Sequence, residues 1–75
     1  MMSGREFSRI AWIDDDGAPV SCVAKLDVLT ETLDELRQMA QDALEDAVLM
    51  GCSEVQMRSV LRNLIDGLVN PYRKD

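Results

Sequence analysis

Hydrophobic residues recur at helical spacing through the middle of this chain. Between Ser21 and Gly51 there is no glycine or proline, and most residues are strong helix formers. Ser21 is a suitable N-cap, and Gly51 suits the left-handed position that follows a helix. The pattern predicts one helix over residues 22–50. Nine apolar residues keep an unbroken alternation of four-residue and three-residue steps along it: Cys22, Leu26, Leu29, Leu33, Leu36, Ala40, Ala43, Ala47 and Met50.

These nine residues form a seam of the kind found in coiled coils and helical bundles. Leucine occupies most of its first half and alanine most of its second half. Small side chains let another helix approach closely, and Met39, Leu44 and Val48 widen the alanine half. The second half of the predicted helix therefore has the wider and flatter packing face.

A second helix follows after a very short connection. Ser53 and Gln56 match the capping box, and the pair Asn70 and Pro71 halts a helix. We therefore predict a helix over residues 54–69, joined to the first as an antiparallel helical hairpin spanning residues 21–70. Its amphipathic stripe comprises Val55, Met57, Val60, Leu61, Leu64, Ile65, Leu68 and Val69.

The segment before the long helix has a weaker pattern. Residues 7–13 mix aromatic and β-branched side chains with partial alternation, which predicts a short strand. The acidic run that ends in Gly17 supplies turn chemistry, and residues 18–20 can return as a second strand in which Pro19 is confined to an edge. We expect a β-hairpin over residues 7–20, a disordered N-terminus over residues 1–6 and a loose tail over residues 71–75.

The fold class expected from these elements is mainly α, and the unequal helix lengths predict a partner. A helix of about 29 residues is roughly 43 Å long, whereas one of about 16 residues covers only about 24 Å. The leucine half of the seam therefore extends beyond the second helix, and each leucine left in water forgoes roughly 1.5–3 kcal/mol. The N-terminal segment can cover part of it, but a second copy is the simplest complete cover. We expect a homodimer with a four-helix arrangement and the long helices at its centre.

The two halves of the seam indicate an antiparallel dimer. The leucine half and the alanine half complement each other only in that direction, and a parallel pair would place acidic residues beside their own copies. The antiparallel arrangement brings Cys22 of one copy towards Met50 and Cys52 of the other. An interchain disulfide is then geometrically conceivable, whereas Cys22 and Cys52 of one chain lie too far apart along the helix.

Composition limits the chemistry. The chain has 75 residues and a mass of 8.4 kDa, which is one small domain, and it contains no histidine. No nucleophile–base pair, phosphate-binding loop or Glu-x-x-His set is present, and the acidic run at residues 14–16 lacks the first and last ligands of a calcium loop. We therefore expect no enzymatic activity, no cofactor and no metal. A redox role for Cys22 or Cys52 and a metal-binding bundle shared across the dimer are open alternatives.

Charge is the most useful functional indication. The net charge is −6, which opposes binding to nucleic acid or anionic lipid. Ten acids but only Lys25 and Arg37 lie between Asp14 and Asp46. An acidic helical surface can dock on a basic protein surface. The acidic partner face predicted here comprises Asp14, Asp15, Asp16, Asp34, Glu35, Asp42, Glu45 and Asp46.

These observations favour a non-catalytic protein-interaction module that acts as a homodimer, as an adaptor, regulator or small chaperone. The alternative is an acidic inhibitor that mimics nucleic acid and blocks a basic target protein. The first residues are polar and no apolar run, residues 47–50 included, is longer than four residues, so we expect no signal peptide, no membrane span and a cytoplasmic location.

Overall fold

The computed structural model describes residues 5–72 and is mainly helical, as predicted. Within those residues it contains three helices: α1 (Arg5–Ser8), α2 (Val23–Leu49) and α3 (Glu54–Asp66). The long helix and the shorter helix after it are confirmed, and the bounds of α2 lie within one residue of the predicted ones. None of the described helices is both long enough and apolar enough to cross a lipid bilayer.

The predicted β-hairpin over residues 7–20 is wrong. Phe7 and Ser8 belong to α1, and the part of the chain from residue 5 to residue 72 contains no strand. The only β-pairing described there is one isolated antiparallel bridge between Ile13 and Pro19. The alternation over residues 7–13 was only partial, and an isolated two-stranded ribbon is marginally stable in water. Met1 to Gly4 of the predicted disordered N-terminus lie outside the described residues, and Arg5 and Glu6 are helical.

The predicted turn at residues 14–17 is confirmed. Oδ1 of Asp14 accepts hydrogen bonds from the amides of Asp16 and Ala18, each at 2.9 Å. The amide of Gly17 donates to the carbonyl of Asp14 at 3.0 Å, and Gly17 has a φ of 84°, which glycine adopts without steric cost. The aspartate side chain therefore organises the turn through its own backbone, as Asx turns do.

The same turn explains how Pro19 joins a β-bridge. The amide of Asp14 donates to the carbonyl of Ala18 at 2.8 Å, and the amide of Val20 donates to the carbonyl of Trp12 at 2.9 Å. These two bonds flank the pair formed by Ile13 and Pro19, which is therefore a non-hydrogen-bonded pair. The bridge requires no N–H from residue 19, so a proline is accommodated there.

Both ends of α2 follow from local sequence. The amide of Leu26 donates to the carbonyl of Cys22 at 3.1 Å, so the helix begins one residue later than a cap at Ser21 would place it. At the other end, the amide of Cys52 donates to the carbonyl of Ala47 at 2.8 Å, and that of Gly51 to the carbonyl of Val48 at 3.0 Å. With φ of 88° at Gly51, this is a Schellman motif.

The capping of α3 is also as predicted, although the helix ends earlier. The Ser53 hydroxyl accepts a hydrogen bond from the amide of Gln56 at 3.1 Å. The helix ends at Asp66, three residues before the predicted end, with Gly67 as the C-cap. Glycine loses more backbone entropy in a helix than other residues do, which explains the early stop.

The described chain divides into two compact units, with the boundary between Met39 and Ala40. Unit 1 contains α1, the turn and the first part of α2, and unit 2 contains the end of α2, the connection and α3. The half-buried apolar side chains of unit 1 are Phe7, Trp12, Val20, Leu26 and Leu33. In unit 2 Ala47 is buried, and Ala40, Ala43, Leu44, Met57 and Leu61 are half-buried.

Candidate functional site

The residues predicted to form the seam differ widely in exposure. Four seam residues are exposed, with Leu29 at 40% and Leu36 at 49% of full accessibility. Ala47 is 6% exposed and is the only buried hydrophobic residue in the part of the chain that is described. The seam therefore contains two classes of residue. The covered ones are Leu26, Leu33, Ala40, Ala43 and Ala47, and the exposed ones are Cys22, Leu29, Leu36 and Met50.

Unit 1 covers one side of the leucine half by itself. Phe7 and Trp12 are half-buried there, as are Leu26 and Leu33 on α2. Nη1 of Arg37 lies 3.1 Å from a carboxylate oxygen of Glu6 and links α1 to α2. The N-terminal segment thus takes part in covering α2 although it is not a β-hairpin. Leu29 and Leu36 remain exposed, although they belong to the same seam.

Exposed apolar side chains are common along the rest of residues 5–72. Seventeen large hydrophobic residues are exposed there, whereas one alanine is buried. On α3, Met57 and Leu61 are half-buried, but Val60 and Leu64, one turn apart, are exposed, as is Leu68 just after the end of the helix. Fully burying a residue of this kind contributes about 1.5–3 kcal/mol. Much of the burial that could stabilise this chain is therefore not realised within one copy.

Most of the predicted acidic partner face is exposed. Asp14, Asp15, Asp16, Glu35, Asp42, Glu45 and Asp46 are all accessible to solvent. Asp34 differs from the other seven, because its side chain is half-buried in unit 1 and Oδ1 is shielded from solvent with no hydrogen-bond partner in the described structure. Coiled-coil position alone placed Asp34 on the outer face. Position in the helical repeat therefore does not by itself decide which side chains of α2 are exposed.

Unit 2 contains an open groove of about 420 Å³ between the end of α2 and the start of α3. Nε of Arg58 donates to Oε2 of Glu54 at 2.9 Å at one side of the groove. Glu45 lies on α2, where its Oε2 accepts a hydrogen bond from the side-chain Nε2 of Gln41 at 2.8 Å. The groove combines an apolar floor with charged edges. Its lining residues are Leu44, Glu45, Val48, Leu49, Glu54 and Arg58.

The pattern of residues along the sequence does not indicate this groove. It assigns Leu44 and Val48 to the wider packing face of the seam and Glu45 to the acidic partner face. One feature of the sequence does point to it. Leu44 and Val48 are one turn apart on the helix, and Glu45 and Leu49 form a second such pair beside them. An acidic side chain therefore lies next to an apolar row. The third component comes from α3 and depends on how the connection turns.

The described residues contain few groups suited to metal or redox chemistry. Cys22 and Cys52 are both free thiols and both exposed. Between residues 5 and 72, no three histidine, cysteine, aspartate or glutamate side chains lie close enough together to hold a metal ion.

Comparisons with protein-family models, with curated proteins and with solved structures found no significant match to this chain.

Proposed function

We propose that this chain is a cytoplasmic, non-catalytic protein-interaction module, an adaptor, regulator or small chaperone, that works as a homodimer of antiparallel helical hairpins. The observation that carries the proposal is the imbalance between one buried alanine and seventeen exposed large hydrophobic residues within residues 5–72. A chain of this size rarely stabilises its fold without a larger core or a partner. A second copy supplies that core with the same side chains.

The exposed part of the seam is the proposed centre of the dimer. Leu29 and Leu36 lie seven residues apart, which places them on one face of α2. Unit 1 leaves them exposed while it covers Leu26 and Leu33. An apolar pair at heptad spacing on a long helix suits packing against the same pair, or against the alanine half, of another copy.

Light scattering coupled to size exclusion tests the dimer. At micromolar concentration we expect a mass about twice the 8.4 kDa of one chain. The double variant Leu29→Lys, Leu36→Lys should shift to the monomer mass, because burying two unpaired ammonium groups is unfavourable. Val28→Lys is the matched control, since Val28 is exposed on the same helix but lies off the seam. A wild-type monomer would refute the homodimer.

Disulfide mapping tests the direction of the dimer. Both thiols are exposed, so mild oxidation can link copies without unfolding them. The antiparallel arrangement predicts a disulfide between Cys22 and Cys52 of the partner subunit, identified by mass spectrometry of the cross-linked peptides. Links between identical cysteines would instead show a parallel dimer.

A further inference from the structure

The groove of unit 2 has a floor that matches one side of a helix. Leu44 and Val48 are one turn apart on α2, and Leu49 extends the apolar surface. Its volume of about 420 Å³ is widely open to solvent, so it suits the side of an extended element better than an enclosed small molecule. A floor with this spacing accepts apolar side chains that are themselves one turn apart, as on an amphipathic helix.

The charge beside this floor is negative. The lining of the groove contains two carboxylates, those of Glu45 and Glu54, and one cation, that of Arg58. Arg58, the cation of the lining, is held by Glu54 at 2.9 Å, so that pair is internally neutralised. The hydrogen-bond partner of Glu45 is the side-chain amide group of Gln41, which carries no charge. A cation that lies beside the floor would therefore meet the carboxylate of Glu45 first.

This charge selects among possible occupants. Anionic lipid and nucleic acid are repelled by the carboxylates of α2. A helix with acidic side chains beside its apolar stripe is disfavoured for the same reason. A helix that carries lysine or arginine next to its apolar stripe satisfies both the floor and Glu45.

We propose that the groove formed by Leu44, Val48 and Leu49 docks a basic amphipathic helix of a partner protein, with a lysine or arginine of that helix beside Glu45. This inference rests on the proposed role as an interaction module, but it does not require the homodimer. Two apolar side chains of the bound helix pack on the floor, and its cation gives the complex a dependence on salt.

The probe is a fluorescently labelled synthetic helix of about 18 residues with leucine at three- and four-residue spacing and lysine at the other positions. Two control peptides replace lysine by glutamate or scramble the order of the same residues. Fluorescence anisotropy measures the affinity at low and moderate salt. Glu45→Lys is the test variant, and Glu31→Lys is its match, since both glutamates are exposed on α2 but Glu31 lies in unit 1.

We expect the lysine helix alone to bind, the affinity to fall with salt, and Glu45→Lys to weaken binding about tenfold while Glu31→Lys changes it less than about twofold. Amide shifts in NMR spectra should centre on residues 44–49 and 54–58. Equal loss in the two variants, or equal binding of the scrambled peptide, would overturn the proposal. Circular dichroism confirms that both variants keep their helix content.

Light scattering on the same samples separates this proposal from the dimer. If the wild type is monomeric but still binds the lysine helix in the groove, the docking proposal is supported and the homodimer is refuted. If the wild type is dimeric and does not bind the peptide, the homodimer is supported and the docking proposal is refuted. If Glu45→Lys dissociates the dimer and the peptide fails to bind, a second copy occupies the groove and the proposed partner helix is wrong.

Discussion

The guanidinium of Arg37 contacts the carboxylate of Glu6 across 31 residues of sequence. Nη1 lies 3.1 Å from Oε1 and donates to Oε2 at 3.2 Å, and both side chains are partly accessible to solvent. This pair links α1 to α2 within unit 1, in the same unit where Phe7 and Trp12 are half-buried. It is a long-range polar contact between the N-terminal segment and the long helix.

A double-mutant cycle with Glu6→Gln and Arg37→Met should give a small coupling energy. We expect about 0.5 kcal/mol at low salt, because a partly exposed ion pair is weakened by solvent, and less in about 0.5 M NaCl. Urea unfolding followed by the fluorescence of Trp12 reports on unit 1. A coupling that is unchanged by salt would contradict an electrostatic link.

Substitution of Asp14 should destabilise the turn, whereas substitution of its neighbour should not. Asp14→Ala removes the acceptor of two amide hydrogen bonds and is expected to cost about 1 kcal/mol. Asp14→Asn keeps an acceptor oxygen and should restore most of that loss. Asp15→Ala is the control, with an expected change within about 0.5 kcal/mol. Urea midpoints measured by Trp12 fluorescence at one protein concentration decide between these outcomes.

Two glycines should respond differently to alanine. Gly51→Ala forces a side chain into a φ of 88°, although the added Cβ meets no atom within 4 Å, so the cost is in the backbone and about 1 kcal/mol. Gly67 has φ of −84°, and its added Cβ would lie 3.3 Å from the carbonyl oxygen of Asn63. We expect Gly67→Ala to stay within about 0.5 kcal/mol. The measurement is the free energy of unfolding from chemical denaturation followed by circular dichroism. Equal losses of this free energy in the two variants would rule out the positive φ of Gly51 as the cause.

Enlarging the buried alanine should be costly. Ala47→Leu adds three carbons at a position that is 6% exposed, and overpacking of this kind costs about 1–3 kcal/mol. Ala24→Leu makes the same change at an exposed position of the same helix and should be close to neutral. The measurement is the free energy of unfolding in urea. A neutral Ala47→Leu would show that unit 2 accommodates a larger side chain there.

Removing the shielded carboxylate of Asp34 should stabilise the protein. Its Oδ1 is buried without a described hydrogen-bond partner, so Asp34→Ala is expected to raise the free energy of unfolding by about 1 kcal/mol. Asp27→Ala controls for the gain in helix propensity, because Asp27 is exposed on α2. If the two variants gain equally, the shielding of Asp34 has no energetic cost.

Features that depend on a few neighbouring residues were predictable. The turn at Asp14, the left-handed Gly51 and the cap at Ser53 all arise from hydrogen bonds between residues at most five positions apart. Helix α2 was predictable for a related reason, since its residues favour helix locally and its apolar spacing is regular. The end of α3 was less predictable, because two features of the sequence disagree. The apolar residues after Gly67 favour a longer helix, whereas Gly67 favours the end at Asp66 that the structure shows.

The sequence by itself determined the long helix α2, the start of α3 with its cap at Ser53, and the turn at residues 14–17, because local hydrogen bonds and propensities dominate there. Only the tertiary structure decided that residues 7 and 8 are helical, that Asp34 is covered and that Glu45 borders a groove. Those outcomes depend on contacts such as the one between Glu6 and Arg37, and on Glu54 and Arg58 lining a groove with the end of α2. Long-range packing selects among local conformations of similar free energy. The residue pattern along one helix does not show which other elements pack against that helix.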